Sequence, residues 1–218
     1  MKNIFSRHKE SGPEDSGSAP EISGRKEESQ SPEPAGFPES PLESRTLHVQ
    51  YDAYWNLHTT IHINDTNQNQ ELYTITARNR KPQMRIKSHA TNTEVATANF
   101  HALKTRIDMT LHDQSLSLES GGWQTRYSYT SLALNGEKMT WRPRKKLDDL
   151  NMVLLDGKGL AIARYKPDYK GKKRGGALEL LPECWKTEEL WEEVVVIALV
   201  VMHYKESQRI IAAAAAAT

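Results

Sequence analysis

The chain contains a single cysteine, Cys184, in 218 residues. That excludes a disulfide framework and every zinc site built on several thiolates. No apolar run approaches the roughly 18 residues that a membrane-crossing helix needs. Charge of one sign is lacking as well. The 29 Lys and Arg stand against 28 Asp and Glu, a net of +1. Any electrostatic partner must therefore be drawn by a local patch. Aromatics make up 7% and hydrophobic residues 37%, with a mean hydropathy of −0.70. That is too little apolar material for the whole chain to be packed. Catalytic signatures are missing: there is no G-x-S-x-G, P-loop or G-x-G-x-x-G. Cys184 sits between Glu183 and Trp185 without an adjacent activator and reads as a packed residue. Asp156-Gly157-Lys158-Gly159 reads as a tight turn, since no helix follows it to hold a phosphate. Asp148-Asp149 reads as a solvated loop pair and not as an acid and base. Neither enzymatic activity nor a cofactor is expected.

The first ten residues, MKNIFSRHKE, lack the apolar stretch of a secretory signal. Gly does not follow Met1 and the C-terminus has no prenylation motif. The expected setting is intracellular: cytoplasmic or peripheral at membranes, with the nucleus left open by Lys172-Lys173-Arg174. The sequon Asn64-Asp65-Thr66 would there go unused.

Residues 1–45 hold 6 Pro, 9 Ser and 4 Gly, with 6 basic and 9 acidic side chains. Their few large apolar residues cannot offset the entropy of ordering, so a disordered tail is expected. Ser31-Pro32 and Ser40-Pro41 fit phosphoacceptor pairs, although such pairs are common in this composition.

From Thr46 the pattern changes. Leu47-x-Val49-x-Tyr51, Leu57 to Ile63, Leu72 to Ile75, Met84-x-Ile86 and Val95 to Phe100 alternate with period 2. So do Ile107-x-Met109-x-Leu111, Leu116-x-Leu118, Tyr127-x-Tyr129 and Met139-x-Trp141. Val153-x-Leu155, Leu160-x-Ile162 and Leu178-x-Leu180 complete the series. Turn signals stand at Gly121-Gly122, Asn135-Gly136 and Asp156-Gly157. These are short antiparallel strands with one buried face. Some twelve of them are too many for a flat sheet and predict a barrel or sandwich.

The end of the chain differs. Thr187 is placed to N-cap a helix whose first turn carries Glu188 and Glu189. Val194 to Met202 are nine consecutive apolar residues, which on a helix cover every side. Glutamates before, Lys and Arg after, and no Gly or Pro favour helix over strand. The six alanines at 212–217 extend it or fray. An all-round apolar helix after an all-β meander is best satisfied by a sheet closed around it.

That architecture resembles the tubby-like fold, shared by tubby C-terminal domains, LURP-one-related proteins and phospholipid scramblases. Gly136-Glu137-Lys138-Met139-Thr140-Trp141 followed by Leu147 resembles a strand motif of these families. Asn151 to Gly157 followed by Leu160-Ala161 resembles their hairpin, and Gly176 to Leu180 and the helix from Leu190 complete the order. Glu206-Ser207-Gln208-Arg209 and the Ala-rich end are similar to small uncharacterised fungal members. The resemblance covers residues 46–211. It implies a mainly β protein: a closed antiparallel barrel of about twelve strands over 46–218, around a central helix at about 188–211. The Pro-rich, Cys-rich and calcium-binding segments associated with scramblases are missing.

Charge is distributed unevenly. Residues 138–174 hold 12 Lys or Arg against 4 Asp, while 175–218 hold 3 basic and 7 acidic residues. The candidate ligand-binding cations are Arg142, Arg144, Lys145 and Lys146 in one cluster, and Lys170, Lys172, Lys173 and Arg174 in another. Both are expected in exposed loops at one barrel rim, where each cation attracts an anionic headgroup by ~1 kcal/mol. The plain reading is a solvated edge guarded by Lys.

No metal site is expected among the eight histidines. His58 and His62 lie about 13 Å apart on a strand, too far to share an ion. The five tryptophans are spread out and read mainly as core, so no nucleic-acid partner is expected. The sequence thus points to a non-enzymatic intracellular module binding anionic phospholipid, such as a phosphoinositide, through a basic rim. Two alternatives stand: a scaffold that recruits protein partners through its N-terminal tail, and a scramblase-like membrane-associated protein. The second is disfavoured because nine apolar residues rise only about 13.5 Å against a ~30 Å hydrocarbon core.

Overall fold

The computed structural model describes residues 43–52, 59–101, 106–121, 125–145, 148–169 and 174–216. The tail expected over 1–45 lies outside them except for its last three residues, and Arg45 already belongs to the first strand. Leu57, His58, Trp55, Gly122 and Trp123 lie outside them too.

Twelve strands form a closed barrel. They are β1 (Arg45–Tyr51), β2 (Thr59–Asp65), β3 (Gln70–Ala77), β4 (Met84–Ser88), β5 (Glu94–Phe100) and β6 (Arg106–Leu111). Then come β7 (Gln114–Gly121), β8 (Arg126–Thr130), β9 (Lys138–Lys145), β10 (Asp148–Leu155), β11 (Ala161–Pro167) and β12 (Gly175–Leu180). Each strand pairs antiparallel with its sequence neighbours, and β1 pairs with β12 from Arg45↔Leu180 to Gln50↔Gly175 to close the ring. A short 3-10 helix, Pro182–Lys186, leads into α1 (Glu188–Ala216).

The period-2 alternation places the core correctly on most strands. Leu47, Val49 and Tyr51 point inward on β1, as do Ile107, Met109 and Leu111 on β6 and Met139 and Trp141 on β9. Outward positions are polar, for example His48, Thr74, Arg85, Thr97 and Thr140. An apolar inside with a polar outside is the reverse of a membrane-crossing barrel. The alternation misplaces three runs. On β3 the core residues are Tyr73, Ile75 and Ala77, while Leu72 is only partly buried. On β10 they are Leu150, Met152 and Leu154, one residue out of step with Val153-x-Leu155. On β11 Ala163 and Tyr165 pair with Leu154 and Met152, while Leu160 stands exposed in the turn. Register shifts at Leu154/Leu155 and between Asp148 and Met152 cause the last two errors, since one extra residue flips a strand's faces.

Turn chemistry follows the sequence. Asn135 and Gly136 both take positive φ, as an Asn-Gly turn requires. Asp156 Oδ1 accepts the backbone N–H groups of Lys158 and Leu160, which makes the Asp156-Gly157-Lys158-Gly159 segment a tight turn.

Helix α1 threads the ring. The Leu190 N–H donates to Thr187 Oγ1, the expected N-cap. Val194 to Met202 are all 3% exposed or less, so the nine apolar residues meet barrel wall on every side. The alanines continue the helix, which runs past the expected end at 211 to Ala216. Enclosure reaches beyond the apolar run to Leu190, Glu193, Tyr204 and Lys205.

Candidate functional site

The barrel has two unlike ends. Helix α1 enters where β12 finishes and emerges beside Tyr51 and Phe100, whose rings lie 6.2 and 6.0 Å from that of His203. The connections at the exit end are 52–58, 78–83, 101–105, 122–125, 146–147 and 168–174. By sequence they carry nine Lys or Arg against Asp52 and Asp168. The entry end is acidic. Its connections carry Asp113, Glu137, Asp156 and Glu183 against Lys158 and Lys186, and the helix start adds Glu188, Glu189, Glu192 and Glu193. The near-zero net charge therefore hides an axial separation of sign, invisible in composition because a meander sends alternate connections to opposite ends.

The structure corrects the loop placement of the first basic cluster. Arg142, Arg144 and Lys145 lie in β9 itself, exposed near its exit-end terminus. None of the three has an ion-pair partner among the described residues. Arg126 heads β8, and because Tyr127 pairs with Trp141 it stands across from Arg142. Lys146, Lys170, Lys172 and Lys173 lie outside the described residues, but their flanks, Lys145 and Asp148, Tyr169 and Arg174, are at this end.

Arg174 is also corrected. Its side chain is 19% exposed and its guanidinium lies 3.0 Å from Glu206 on α1. Its carbonyl accepts the Tyr51 N–H. Arg174 ties the barrel to the helix and is no free rim cation. Beside it opens a cleft of about 420 Å³ between α1 and the β11–β12 connection, lined by Tyr51, Tyr165, Tyr169, Arg174, Met202, Glu206 and Arg209 among others. Arg209 lies over the Tyr169 ring, whose hydroxyl donates to Asp148 at 2.6 Å.

Asp148 and Asp149 are not merely solvated. Asp149 lies 3.3 Å from Lys205 Nζ, a lysine only 5% exposed that also sits 5.8 Å from the Tyr127 ring. At the entry end Glu193 is 1% exposed and its Oε2 accepts the N–H groups of Leu132 and Ala133. Both buried charges escaped sequence reading because they sit just outside the apolar run. Enclosure by a ring is longer than the run that signals it.

Cys184 is packed, and several of the described histidines face carboxylates. Cys184 is fully buried, and burial pushes its thiol up to about 12, which suits packing and not attack. His62 faces Glu71 at 2.5 Å and Asp52 at 3.0 Å through its two ring nitrogens. Carboxylates only accept, so both contacts are satisfied by the imidazolium alone, and the hydrogen bonds to Asp52 and Glu71 raise its pKa. His101 pairs with Asp108 and His112 with Glu192. Among the described residues no three His, Cys, Asp or Glu side chains converge with metal-binding geometry.

Comparison with solved structures finds a protein from Arabidopsis thaliana, AT5G01750, known by X-ray structure. It superposes with a TM-score of 0.50 at 12% identity, over 77% of this chain and 93% of that one. At that identity the likeness shows the fold: a closed twelve-stranded barrel with a C-terminal helix. Comparison with curated proteins yields no significant match. The sequence profile of a family of unknown function, DUF6593, matches residues 56–207, which spans β2 to the exit of α1. The chain belongs to that family, DUF6593.

Proposed function

We propose that the protein is a non-enzymatic binding module that docks its cationic end on an anionic phospholipid surface. The observation that carries this reading is the segregation of charge by sequence: the connections between strands at the helix-exit end are rich in Lys and Arg, while those at the other end are acidic. Such a molecule orients in the field of a negative leaflet, cationic end first. Multiply charged headgroups, phosphoinositides among them, suit a ring of several cations best. The proposed setting is intracellular and peripheral to membranes; separately, no helix among the described residues is long and apolar enough to cross one. The resemblance to tubby-like proteins and their small fungal members agrees with this reading, but fold alone does not fix function. A scramblase-like role would require α1 to leave the barrel that encloses it.

The test is vesicle sedimentation of the full chain across a salt series. Binding to phosphatidylserine-containing vesicles is expected at low salt and is lost as salt rises. Reversing Arg142, Arg144 and Lys145 to Glu removes at least about 3 kcal/mol, a hundred-fold or more. The fold is kept, since these side chains are exposed. If the wild type ignores such vesicles, or the reversed variant binds equally, the reading fails and the scaffold alternative replaces it.

A further inference from the structure

Helix α1 does not stop where its burial stops. From Arg209 its residues are mostly exposed: Ile210 is half-buried, and Ile211 to Ala216 are all exposed. Ile211 is 55% exposed, a large apolar side chain left in solvent. The seven residues Ile210 to Ala216 contain no polar side chain, so this projecting tip has no hydrophilic face. The last turn of the helix has no basic residue. The tip projects from the cationic end of the barrel.

We infer that the tip of α1 inserts shallowly into the lipid interface while the surrounding cations hold the headgroups. This inference rests on the lipid-docking reading and adds to it an apolar anchor. The two signals belong together physically. A basic patch alone binds reversibly and a short apolar segment alone binds marginally, while the pair gives stable peripheral attachment. Length agrees: seven residues rise about 10 Å, the depth of the headgroup and acyl boundary and far short of a span. The exposed cations Arg142, Arg144 and Lys145 argue for this occupant over a second copy of the chain, since two such ends repel. Arg142, Arg144 and Lys145 are exposed without ion-pair partners among the described residues, so they are available to the surface the tip enters.

The experiment places an environment-sensitive NBD label on Ile211→Cys in the full chain. Cys184 is fully buried and stays unlabelled. Vesicles of phosphatidylserine in phosphatidylcholine are expected to brighten and blue-shift the label. Lipids carrying a nitroxide high on the acyl chain are expected to quench it. Ile211→Ser is expected to weaken sedimentation about ten-fold, the worth of burying one isoleucine. If the protein sediments with vesicles while label and Ile211→Ser variant show no change, only the cations touch the membrane and this inference falls alone. If the wild type does not sediment, the docking reading falls and takes the inference with it. A label change that follows protein concentration without lipid assigns the tip to self-association and overturns the inference.

Discussion

Replacing Val196 by Asp tests whether α1 is enclosed on all sides. Val196 and Val200 are 0% exposed, and so nearly is Ala198 at 1%. At 100° per residue Val196 and Ala198 point in roughly opposite directions, while Val196 and Val200 share a side. A surface helix would bury one of these two sides and expose the other. Here every direction meets strand side chains. Losing the valine costs about 2 kcal/mol of apolar burial. The new carboxylate must then stay charged without a partner or take up a proton. With a pKa raised by 3 to 5 units the group takes up a proton, which caps the cost at neutral pH at about 4 kcal/mol. The sum, about 6 kcal/mol, is comparable to the whole stability of an ordinary domain at the lower end of its range of about 5–15 kcal/mol. Val196→Ala, the cavity control, costs only about 2–3 kcal/mol. Urea denaturation and soluble yield are expected to show Val196→Asp, Ala198→Asp and Val200→Asp all unfolded or nearly so, with Val196→Ala folded. A folded, soluble Val196→Asp or Val200→Asp protein would refute the enclosed helix.

Four further outcomes are expected. Glu193→Ala strands the N–H groups of Leu132 and Ala133 and costs about 3 kcal/mol by urea denaturation, while Glu193→Gln keeps an acceptor and costs less. Gly175→Ala would put a methyl 2.1 Å from the Val49 carbonyl oxygen at the β1–β12 seam, so its thermal midpoint is expected to fall by an amount equal to about 2–3 kcal/mol; an unchanged midpoint would mean that the seam is looser than drawn. His203, beside Tyr51 and Phe100, has its pKa held down to about 4 by burial. A base with a depressed folded pKa binds fewer protons folded than unfolded, so this stability is full above pH 6.5 and drains as pH falls towards 4, by about 3 kcal/mol. His203→Phe is expected to flatten that acid limb of a stability–pH curve. His62, with its pKa raised by Asp52 and Glu71, works the other way: its contribution is present below pH 6.5 and fades as pH rises through its raised value.

Alternation revealed the barrel because each strand faces a dry interior on one side and water on the other. It failed on β10 and β11 for an identifiable reason. Bulges shift the register there, and Val153, at 9% exposed, is covered on the outer wall between Arg142 and Arg164, its cross-strand neighbours. An outward valine counts as inward to any reading by period. The helix was legible from Val194 to Met202 because no one-sided face fits nine apolar residues in a row. Its buried Glu193 and Lys205 were not, since a charge at the end of an apolar run is normally a solvated flank. The basic clusters were legible as clusters in the sequence, and among the described residues Arg142, Arg144 and Lys145 lie near the exit-end terminus of β9. What sequence could not give was pairing. Arg174 looks like its lysine neighbours in the chain, and only the return of α1 to that end brings Glu206 within 3.0 Å.

A ring closed around its own C-terminal helix constrains the order in which the molecule can be made. Each hairpin from β1 to β12 joins sequence neighbours and can form early, but the seam joins Arg45 to Leu180, and the helix that fills the interior follows every strand in the chain. During synthesis the inner faces of all twelve strands leave the ribosome before the residues that cover them. A finished ring would have to be threaded by a 29-residue helix whose first turns carry four glutamates. The workable path is an open, curled sheet that wraps α1 and zips β1 to β12 as its final act. Such late long-range closure predicts slow refolding and an intermediate with exposed apolar surface and two unpaired edges. The vulnerable moment of this protein is thus set by chain order and precedes any function of its finished form.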